Sequence, residues 1–307
     1  MTMNLPYDLP DLTAVNWPGL RIAVIGGDER EQEIARLAAA TGASVRVYGF
    51  PMPEGGIPGT THAASLAEAI AGAHYVLFPI PGMTADGAIF ATEKIIPDPA
   101  LLSQAAKGAH VIMGLPHPNL VAYGRDLGIG IHEYETDREL MLLRMPSIVE
   151  MALKHIIENT KVSIHGARAV VVGQGNVAQS LTRLLILMGA HVTVAARNPV
   201  QRAEAIALGA RAVGLERLKD VVGDADIIAS SVPAPVVTPD IIDRMRPDVF
   251  LADFAAPPGG VHLDYAKSKG IRALWGRALG RRAPVTVGRS QWKGIAERIV
   301  KLEGAKA

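Results

Sequence analysis

The chain has 307 residues, 49% hydrophobic and 20% charged, and its 31 Lys and Arg nearly balance its 30 Asp and Glu. This length predicts two domains, and a net charge near zero excludes a broad electrostatic field for nucleic acid or an anionic membrane. No apolar run is long enough to span a bilayer, no signal peptide is recognisable, and the absence of cysteine excludes disulfides and thiolate or cysteine–metal chemistry. We therefore expect a cytoplasmic protein without a metal site.

The first half of the chain alternates strand and helix patterns after an 18-residue lead-in that is predicted to be loop or a short cap. Strands are predicted at 20–25, 45–48, 74–79 and 110–114, and helices at 29–40, 66–70 and 99–107. The first strand ends at Gly27 and Asp28, just before a helix N-terminus. These two residues either bind a substrate carboxylate or simply form a strand–helix turn.

Two residues around the middle of the chain are candidates for proton transfer. His117 lies between two prolines in the loop after the strand at 110–114, where it is either a proton carrier or a structural residue. A long helix is predicted over 146–160 as a connector between two α/β halves, and it carries Glu150.

The second half begins with the most informative motif of the chain. A strand at 169–172 ends in a G-x-G-x-x-A turn, and a helix to Met188 and a strand at 191–195 follow; the turn consists of Gly173, Gln174, Gly175, Asn176, Val177 and Ala178. This order is typical of a dinucleotide-binding βαβ unit. Gly173 permits the tight turn, Gly175 lets backbone approach a pyrophosphate, and the helix N-terminus offers free N–H groups. The alternative is a helix–sheet turn that binds nothing.

The residues after the strand at 191–195 indicate which nicotinamide cofactor is bound. An NAD enzyme usually carries Asp or Glu here, whereas this chain has Arg197 and Asn198. A guanidinium can pair with a 2′-phosphate that a carboxylate would repel, so NADP is predicted. Otherwise Arg197 is a solvated loop residue and either cofactor is accepted.

Further along the second half, loops that follow predicted strands are expected to flank the nicotinamide and the substrate. Strands are predicted at 226–229, 249–253 and 271–274, and a terminal helix at 291–301. The first of these strands leads into Ser230, Ser231, Val232 and Pro233; Ser230 is a candidate substrate ligand and the next three are candidate cofactor ligands. Asp253 is either a hydrogen-bond acceptor in the reaction or a loop organiser. Arg282, in the densest basic cluster, either grips a dianionic substrate or lies in a solvated loop.

Four segments together resemble one family, the A subunit of dipicolinate synthase. They are 22–28, 164–166, Asp253 with 258–260, and 265–271, and their order covers nearly the whole chain. The resemblance implies two Rossmann-like doubly wound parallel-sheet domains joined by a long helix. We place the substrate and catalytic domain at 1–145, the NADP domain at 146–290, and a helix at 291–307 that packs back on the first domain.

The resemblance also implies an activity and a partner. A dihydrodipicolinate-type cyclic dicarboxylate would be oxidised with NADP to dipicolinate for the bacterial spore, together with a flavoprotein-like B subunit, and we expect a homo-oligomer. The chain departs from the family pattern at Pro257, where Arg is usual, and at Val285, where Lys is usual. An NAD(P)-dependent 2-hydroxyacid or amino-acid dehydrogenase, and a non-catalytic NADP-binding subunit of a flavoprotein complex, are alternatives. The candidate acids and bases are His117, Glu150 and Asp253.

Overall fold

The structure, a computed structural model, describes residues 6–305. The first five residues of the predicted lead-in and the last two residues of the predicted C-terminal segment therefore lie outside the described residues. The chain divides into two compact units, one containing the residues up to Arg144 and from Ala283 onward, the other containing Met145–Arg282. Each unit contains one six-stranded parallel sheet.

The sheet of the first unit has the doubly wound strand order β3-β2-β1-β4-β5-β6. Its strands are β1 Arg21–Ile25, β2 Ser44–Tyr48, β3 Thr60–His62, β4 Tyr75–Leu77, β5 His110–Met113 and β6 Gly130–Glu133. Side chains on both faces of β1 are buried: Ile22 and Val24 in one core cluster, Ala23 and Ile25 in another. Burial on both faces explains why this strand is an unbroken apolar run.

Helices cover both faces of this sheet. They are α1 Glu29–Ala40, α2 Leu66–Ile70, α3 Pro99–Leu102, α4 Pro118–Leu127, the first turns of α5 Arg138–Asn159, and α10 Pro284–Gly304. The C-terminal helix α10 packs within this unit, where the rings of Trp292 and Trp17 lie 6.1 Å apart in the same core cluster as Ile22.

The second unit repeats the doubly wound order, here β12-β11-β10-β7-β8-β9. Its strands are β7 Arg168–Val172, β8 His191–Ala195, β9 Arg211–Val213, β10 Ile227–Ser230, β11 Phe250–Asp253 and β12 Arg272–Trp275. Its helices are the later turns of α5, then α6 Asn176–Leu187, α7 Pro199–Ala207, α8 Pro239–Ile242 and α9 Leu263–Ser268. The predicted fold class, two doubly wound parallel sheets with flanking helices, is confirmed.

Several predicted helix boundaries are wrong. Helix α3 ends at Leu102, with Ser103 as its C-cap, rather than at residue 107. Helix α5 begins at Arg138 rather than at residue 146, because Asp137 Oδ1 caps its N-terminus by accepting from the backbone N–H of Glu139 at 3.1 Å, and the helix continues through Pro146. Helix α10 begins at Pro284 rather than at residue 291, with the proline in the first turn, where a missing N–H removes no helical hydrogen bond. Within residues 6–305, no helix is long and apolar enough to cross a membrane.

Candidate nucleotide-binding site

The turn after β7 has the backbone conformation that its two glycines predict. Gly173 has φ +93°, and a Cβ atom there would lie 2.8 Å from Val232 Cγ2. Its N–H donates to the carbonyl of Ala195 at 2.9 Å, which fixes the turn against β8. Ser231 Oγ lies 3.3 Å from the same hypothetical Cβ, so the predicted cofactor residues Gly173, Ser231 and Val232 are brought together.

Gly175 leaves an open hollow at the N-terminus of α6. A Cβ built on Gly175 would meet no atom of the described chain within 4 Å, and no described side chain caps this helix. Ala178 is completely buried, which lets the helix pack closely on the sheet. Unpaired N–H groups, the positive end of the helix dipole and free space in front of the backbone together fit a phosphate group.

Gln174 points into the protein rather than into this hollow. The residue is 3% exposed, and its Oε1 accepts a 3.4 Å hydrogen bond from Thr182 Oγ1 of α6. Its Nε2 has no hydrogen-bond partner among residues 6–305. Gln174 therefore supports the loop from beneath, and its backbone is the part that can face a ligand.

The corresponding turn of the first unit, after β1, is filled by the chain itself. The N–H of Gly27 donates to the carbonyl of Phe90 at 2.7 Å, and a Cβ on Gly26 would lie 2.8 Å from that same carbonyl oxygen. The helix that follows has a capping box, in which Asp28 and Glu31 accept from backbone N–H groups of the first turn. This turn therefore lacks the open space and the free N–H groups found at Gly175.

Asp28, the N-cap of α1, uses its carboxylate for hydrogen bonds to the first turn of that helix. Its two oxygens each accept a 2.8 Å hydrogen bond from the Arg30 guanidinium, and Oδ1 also accepts from the Arg30 N–H at 3.2 Å. The residue is 1% exposed. A substrate carboxylate at this helix N-terminus would meet the Asp28 carboxylate, which counts against the predicted substrate-binding role of Gly27 and Asp28.

The turn after β8 presents one guanidinium outward and anchors another. Arg197 is exposed, and no acceptor of the described chain lies within hydrogen-bonding distance of its guanidinium. Arg202 Nη1 donates to the carbonyls of Ala196 and Arg197 at 2.9 and 2.7 Å. Asn198 instead caps α7, because its Oδ1 accepts from the N–H of Val200 at 2.9 Å. Arg202 was not among the predicted site residues, although a second basic residue five positions after Arg197 is visible in the sequence.

The loop after β10 contains one buried and three accessible candidates. Ser230 is completely buried, and its Oγ accepts a 3.4 Å hydrogen bond from the Val232 N–H, which leaves it shielded from a ligand. Ser231 and Val232 are partly exposed and Pro233 is exposed. The Ser231 N–H donates to the carbonyl of Val172 at 3.0 Å, so this loop begins directly beside the glycine turn.

Asp253 organises the loop after β11. The carboxylate is 1% exposed and accepts hydrogen bonds from the N–H groups of Ala255 at 2.9 Å, Gly260 at 2.7 Å and Val261 at 3.1 Å. Trp275 Nε1 adds a 3.0 Å bond to the carbonyl of Ala255. Of the two roles considered for Asp253, these contacts favour loop organisation over proton transfer.

The other predicted catalytic and substrate residues fall into two groups. His117 caps α4, because its Nδ1 accepts from the N–H of Asn119 at 3.2 Å. Glu150 and Arg282 form an ion pair within the second unit, and both side chains are about half exposed, at 50% and 44%. The contact of His117 favours a structural role, whereas Glu150 and Arg282 contact each other through their charged groups.

Comparison with known proteins finds matches to the family that the sequence resembles. A profile described as the N-terminal domain of the dipicolinate synthase A subunit matches residues 21–134, and one described as shikimate / quinate 5-dehydrogenase matches residues 154–272. The chain is 26% identical to the A subunit of dipicolinate synthase from Bacillus subtilis over 93% of its own length and 97% of that protein. The chain is thus similar over nearly its whole length to the A subunit of dipicolinate synthase. The resemblance noted in the sequence is thereby confirmed.

Solved structures of this family have the same architecture. The dipicolinate synthase A subunit from Bacillus halodurans is 27% identical with a TM-score of 0.81, covering 93% of this chain and 98% of that one. Its counterpart from Bacillus subtilis is 24% identical with a TM-score of 0.81, covering 94% and 98%. The dehydrogenase-type Rossmann fold of the second unit implies a nicotinamide cofactor, without distinguishing NADP from NAD.

Proposed function

We propose that this protein is an NADP-dependent dehydrogenase that oxidises a dihydrodipicolinate-type cyclic dicarboxylate to dipicolinate. The open, uncapped hollow at Gly175, in a chain similar to the A subunit of dipicolinate synthase, carries the proposal. Backbone N–H groups at the start of α6 would hold the pyrophosphate of the cofactor. Ser231 and Val232 lie beside this turn and would contact the part of the cofactor next to the pyrophosphate.

The preference for NADP depends on Arg197. The Arg197 guanidinium is exposed after β8. Arg202 Nη1 donates to the carbonyls of Ala196 and Arg197 and so fixes the backbone at this position. No carboxylate stands in the 195–198 segment, where an NAD enzyme would need one for the ribose 2′-hydroxyl. Arg197 would pair with the 2′-phosphate and confer a preference over NAD.

In the proposed reaction the protein mainly orients the substrate and compensates the charge of its carboxylates. The dihydropyridine ring would lose a hydride and a proton as it becomes aromatic, and a nicotinamide cofactor held at the turn after β7 would supply the hydride acceptor. Arg282 would contact a substrate carboxylate, and its ion-pair partner Glu150 would accept the proton or hold Arg282 in position. His117 and Asp253 both accept hydrogen bonds from backbone N–H groups, which supports structural roles for them.

A second candidate function is a non-catalytic NADP-binding subunit of a flavoprotein complex. Two of the three predicted acid–base residues accept backbone hydrogen bonds, and Pro257 and Val285 stand where the resemblance leads us to expect Arg and Lys. Both observations favour this alternative. Because the relatives are named as the A component of dipicolinate synthase, a B component is implied, and we infer a flavoprotein-like partner. A homo-oligomer and a cytoplasmic location stay predictions.

Turnover by the purified chain distinguishes these functions. NADP⁺ is mixed with a dihydrodipicolinate-type dicarboxylate, and NADPH absorbance and dipicolinate are followed with and without a co-expressed flavoprotein-like partner. NADPH formation by the chain alone supports the dehydrogenase. NADPH binding without turnover in either mixture supports the non-catalytic function. Absence of binding contradicts both functions.

A further inference from the structure

Two buried side chains of the first unit each have an oxygen without a hydrogen-bond partner. Glu31 on α1 is 2% exposed; its Oε2 accepts from the Asp28 N–H at 2.7 Å, but its Oε1 has no partner among residues 6–305. Tyr134, directly after β6, is 1% exposed, and its hydroxyl likewise has no partner there. Burying such a group unpaired costs free energy, so folded proteins pair it with protein or ordered water.

The environment of Glu31 disfavours its charged form. Burial raises the pKa of Glu31 to about 7, although the neighbouring Arg30 guanidinium and the Asp28 N–H act in the opposite direction. The Asp28 carboxylate adds to the rise. Glu31 is therefore exchanging its proton near neutral pH while one of its oxygens stays in contact with the Gly27–Asp28 turn.

Tyr134 lies within electrostatic reach of Glu31. Burial raises the pKa of Tyr134 above its usual value, the carboxylates of Glu31 and Glu135 raise it further, and the guanidinium groups of Arg30 and Arg144 lower it. The Arg298 guanidinium lies over the ring, 5.8 Å from its centroid. The hydroxyl is thus a neutral donor that needs an acceptor.

The two unpartnered oxygens complement a small neutral ligand. We propose that buried water binds between Glu31 Oε1 and Tyr134 Oη and joins α1 to the segment after β6. Water can accept from the Tyr134 hydroxyl and either donate to an ionised Glu31 or accept from a protonated one, so the site is satisfied in both protonation states. A larger or charged ligand could not compensate both states in a site whose two polar groups are almost completely buried.

Helix α10 adds a third group of the same kind. Gln291 is 1% exposed, and neither atom of its side-chain amide has a partner in the described part of the chain. This helix packs on α1, since a Cβ on Gly288 would lie 2.7 Å from the carbonyl of Arg30.

Removing the Tyr134 hydroxyl tests this site in the full-length protein. If water is bound, Tyr134→Phe leaves it underbonded and lowers the melting temperature by about 2–4 °C. Tyr48→Phe is the matched control, because the Tyr48 hydroxyl bonds to Glu93 in an exposed pair of the same unit and its loss should change the melting temperature little. A Tyr134→Phe protein as stable as the wild type, or more stable, would overturn the proposal.

Coupling between the two side chains provides a second readout. Glu31→Gln keeps an oxygen for the Asp28 N–H. The decrease in melting temperature of the Glu31→Gln/Tyr134→Phe double variant should be smaller than the sum of the two single decreases, because both side chains bind the same water. Additive shifts would contradict a shared site. Should Glu31→Gln fail to fold, a crystal structure of the wild type decides, since density bonded to both oxygens is expected and a direct protein partner for the Tyr134 hydroxyl would exclude the water.

The pH dependence of stability reports the Glu31 proton. The folded protein binds this proton more tightly than the unfolded chain does. The contribution of the proton to the free energy of unfolding is therefore full below about pH 4.5 and is lost as the pH rises to about 7. The melting temperature of the wild type should fall over that range more steeply than that of Glu31→Gln. Parallel pH profiles would show that the pKa of Glu31 is the same in the folded and unfolded protein, which would contradict the burial of its carboxyl group on which the proposed site depends.

Discussion

The N–H of Gly27 donates to the carbonyl of Phe90 at 2.7 Å, and this bond closes the glycine turn of the first unit. The related turn of the second unit is open, since a Cβ on Gly175 would meet no described atom within 4 Å. Two units with the same doubly wound strand order thus differ at the one position where a dinucleotide needs backbone N–H groups.

This difference predicts one nucleotide site per chain. Calorimetric titration of NADPH into the full-length protein should give a stoichiometry near one because, of the two glycine turns described, the one at Gly175 has the free N–H groups and open space. A stoichiometry of two would show that the turn at Gly27 opens to bind a second molecule.

Arg197→Asp should weaken NADPH binding at least tenfold while changing NADH binding much less. The substitution replaces a partner of the 2′-phosphate by a repulsive charge, and a hydrogen bond to a charged group contributes about 1.5–3 kcal/mol. Fluorescence titration with both cofactors measures the effect. Arg211→Ala is the control, since Arg211 is exposed at the opposite end of a strand in the same sheet and neither affinity should change. Equal losses for NADPH and NADH after Arg197→Asp would remove Arg197 from the 2′-phosphate site.

Asp253→Asn should destabilise the protein, by on the order of 2–4 kcal/mol in chemical unfolding. Asp253 accepts three backbone N–H bonds, whereas an amide has only one oxygen and would turn a donor toward one of those N–H groups. A general base would respond differently: its loss would abolish turnover while the unfolding free energy stayed at the wild-type value, and that result would contradict the structural role.

His117→Ala should lower stability by about 1 kcal/mol, because it removes the N-cap of α4. His117→Asn keeps a capping oxygen and should restore most of the loss. The two variants compared by urea unfolding isolate the cap from any other role. If instead both variants lost turnover equally at unchanged stability, His117 would be a proton carrier.

Local sequence signals predicted the parts of the structure that local physics controls. The G-x-G-x-x-A turn required φ +93° at Gly173 and a buried Ala178, and both are present. Helix α1 was predicted at its observed bounds from its amphipathic pattern and from Gly42 just beyond its end, and the structure adds a capping box of Asp28 and Glu31 at its start.

Other features depended on contacts between distant parts of the chain. The turn at Gly27 is closed by a hydrogen bond to the carbonyl of Phe90, which lies far along the chain. Asp253 accepts from the N–H of Gly260 because the loop after β11 folds back to the end of that strand. The start of α5 was misplaced because Pro146 resembles a first-turn proline, whereas the cap is Asp137 further upstream. Hydrogen bonds of this kind join residues that are distant in the sequence, so the spacing of residues does not predict them.

The most direct test of nucleotide binding in the second unit is the affinity of Gly175→Val for NADPH. Gly175 has φ −75° and ψ −174°, a conformation that valine adopts readily, so the fold and melting temperature should persist. Gly223→Val, at an exposed position of the same unit where a Cβ makes only ordinary contact, is the control and should bind like the wild type. Calorimetry should detect no NADPH binding to a folded Gly175→Val protein, because the side chain fills the space needed by the pyrophosphate. Wild-type affinity in that variant would show that the hollow at Gly175 is not the nucleotide site.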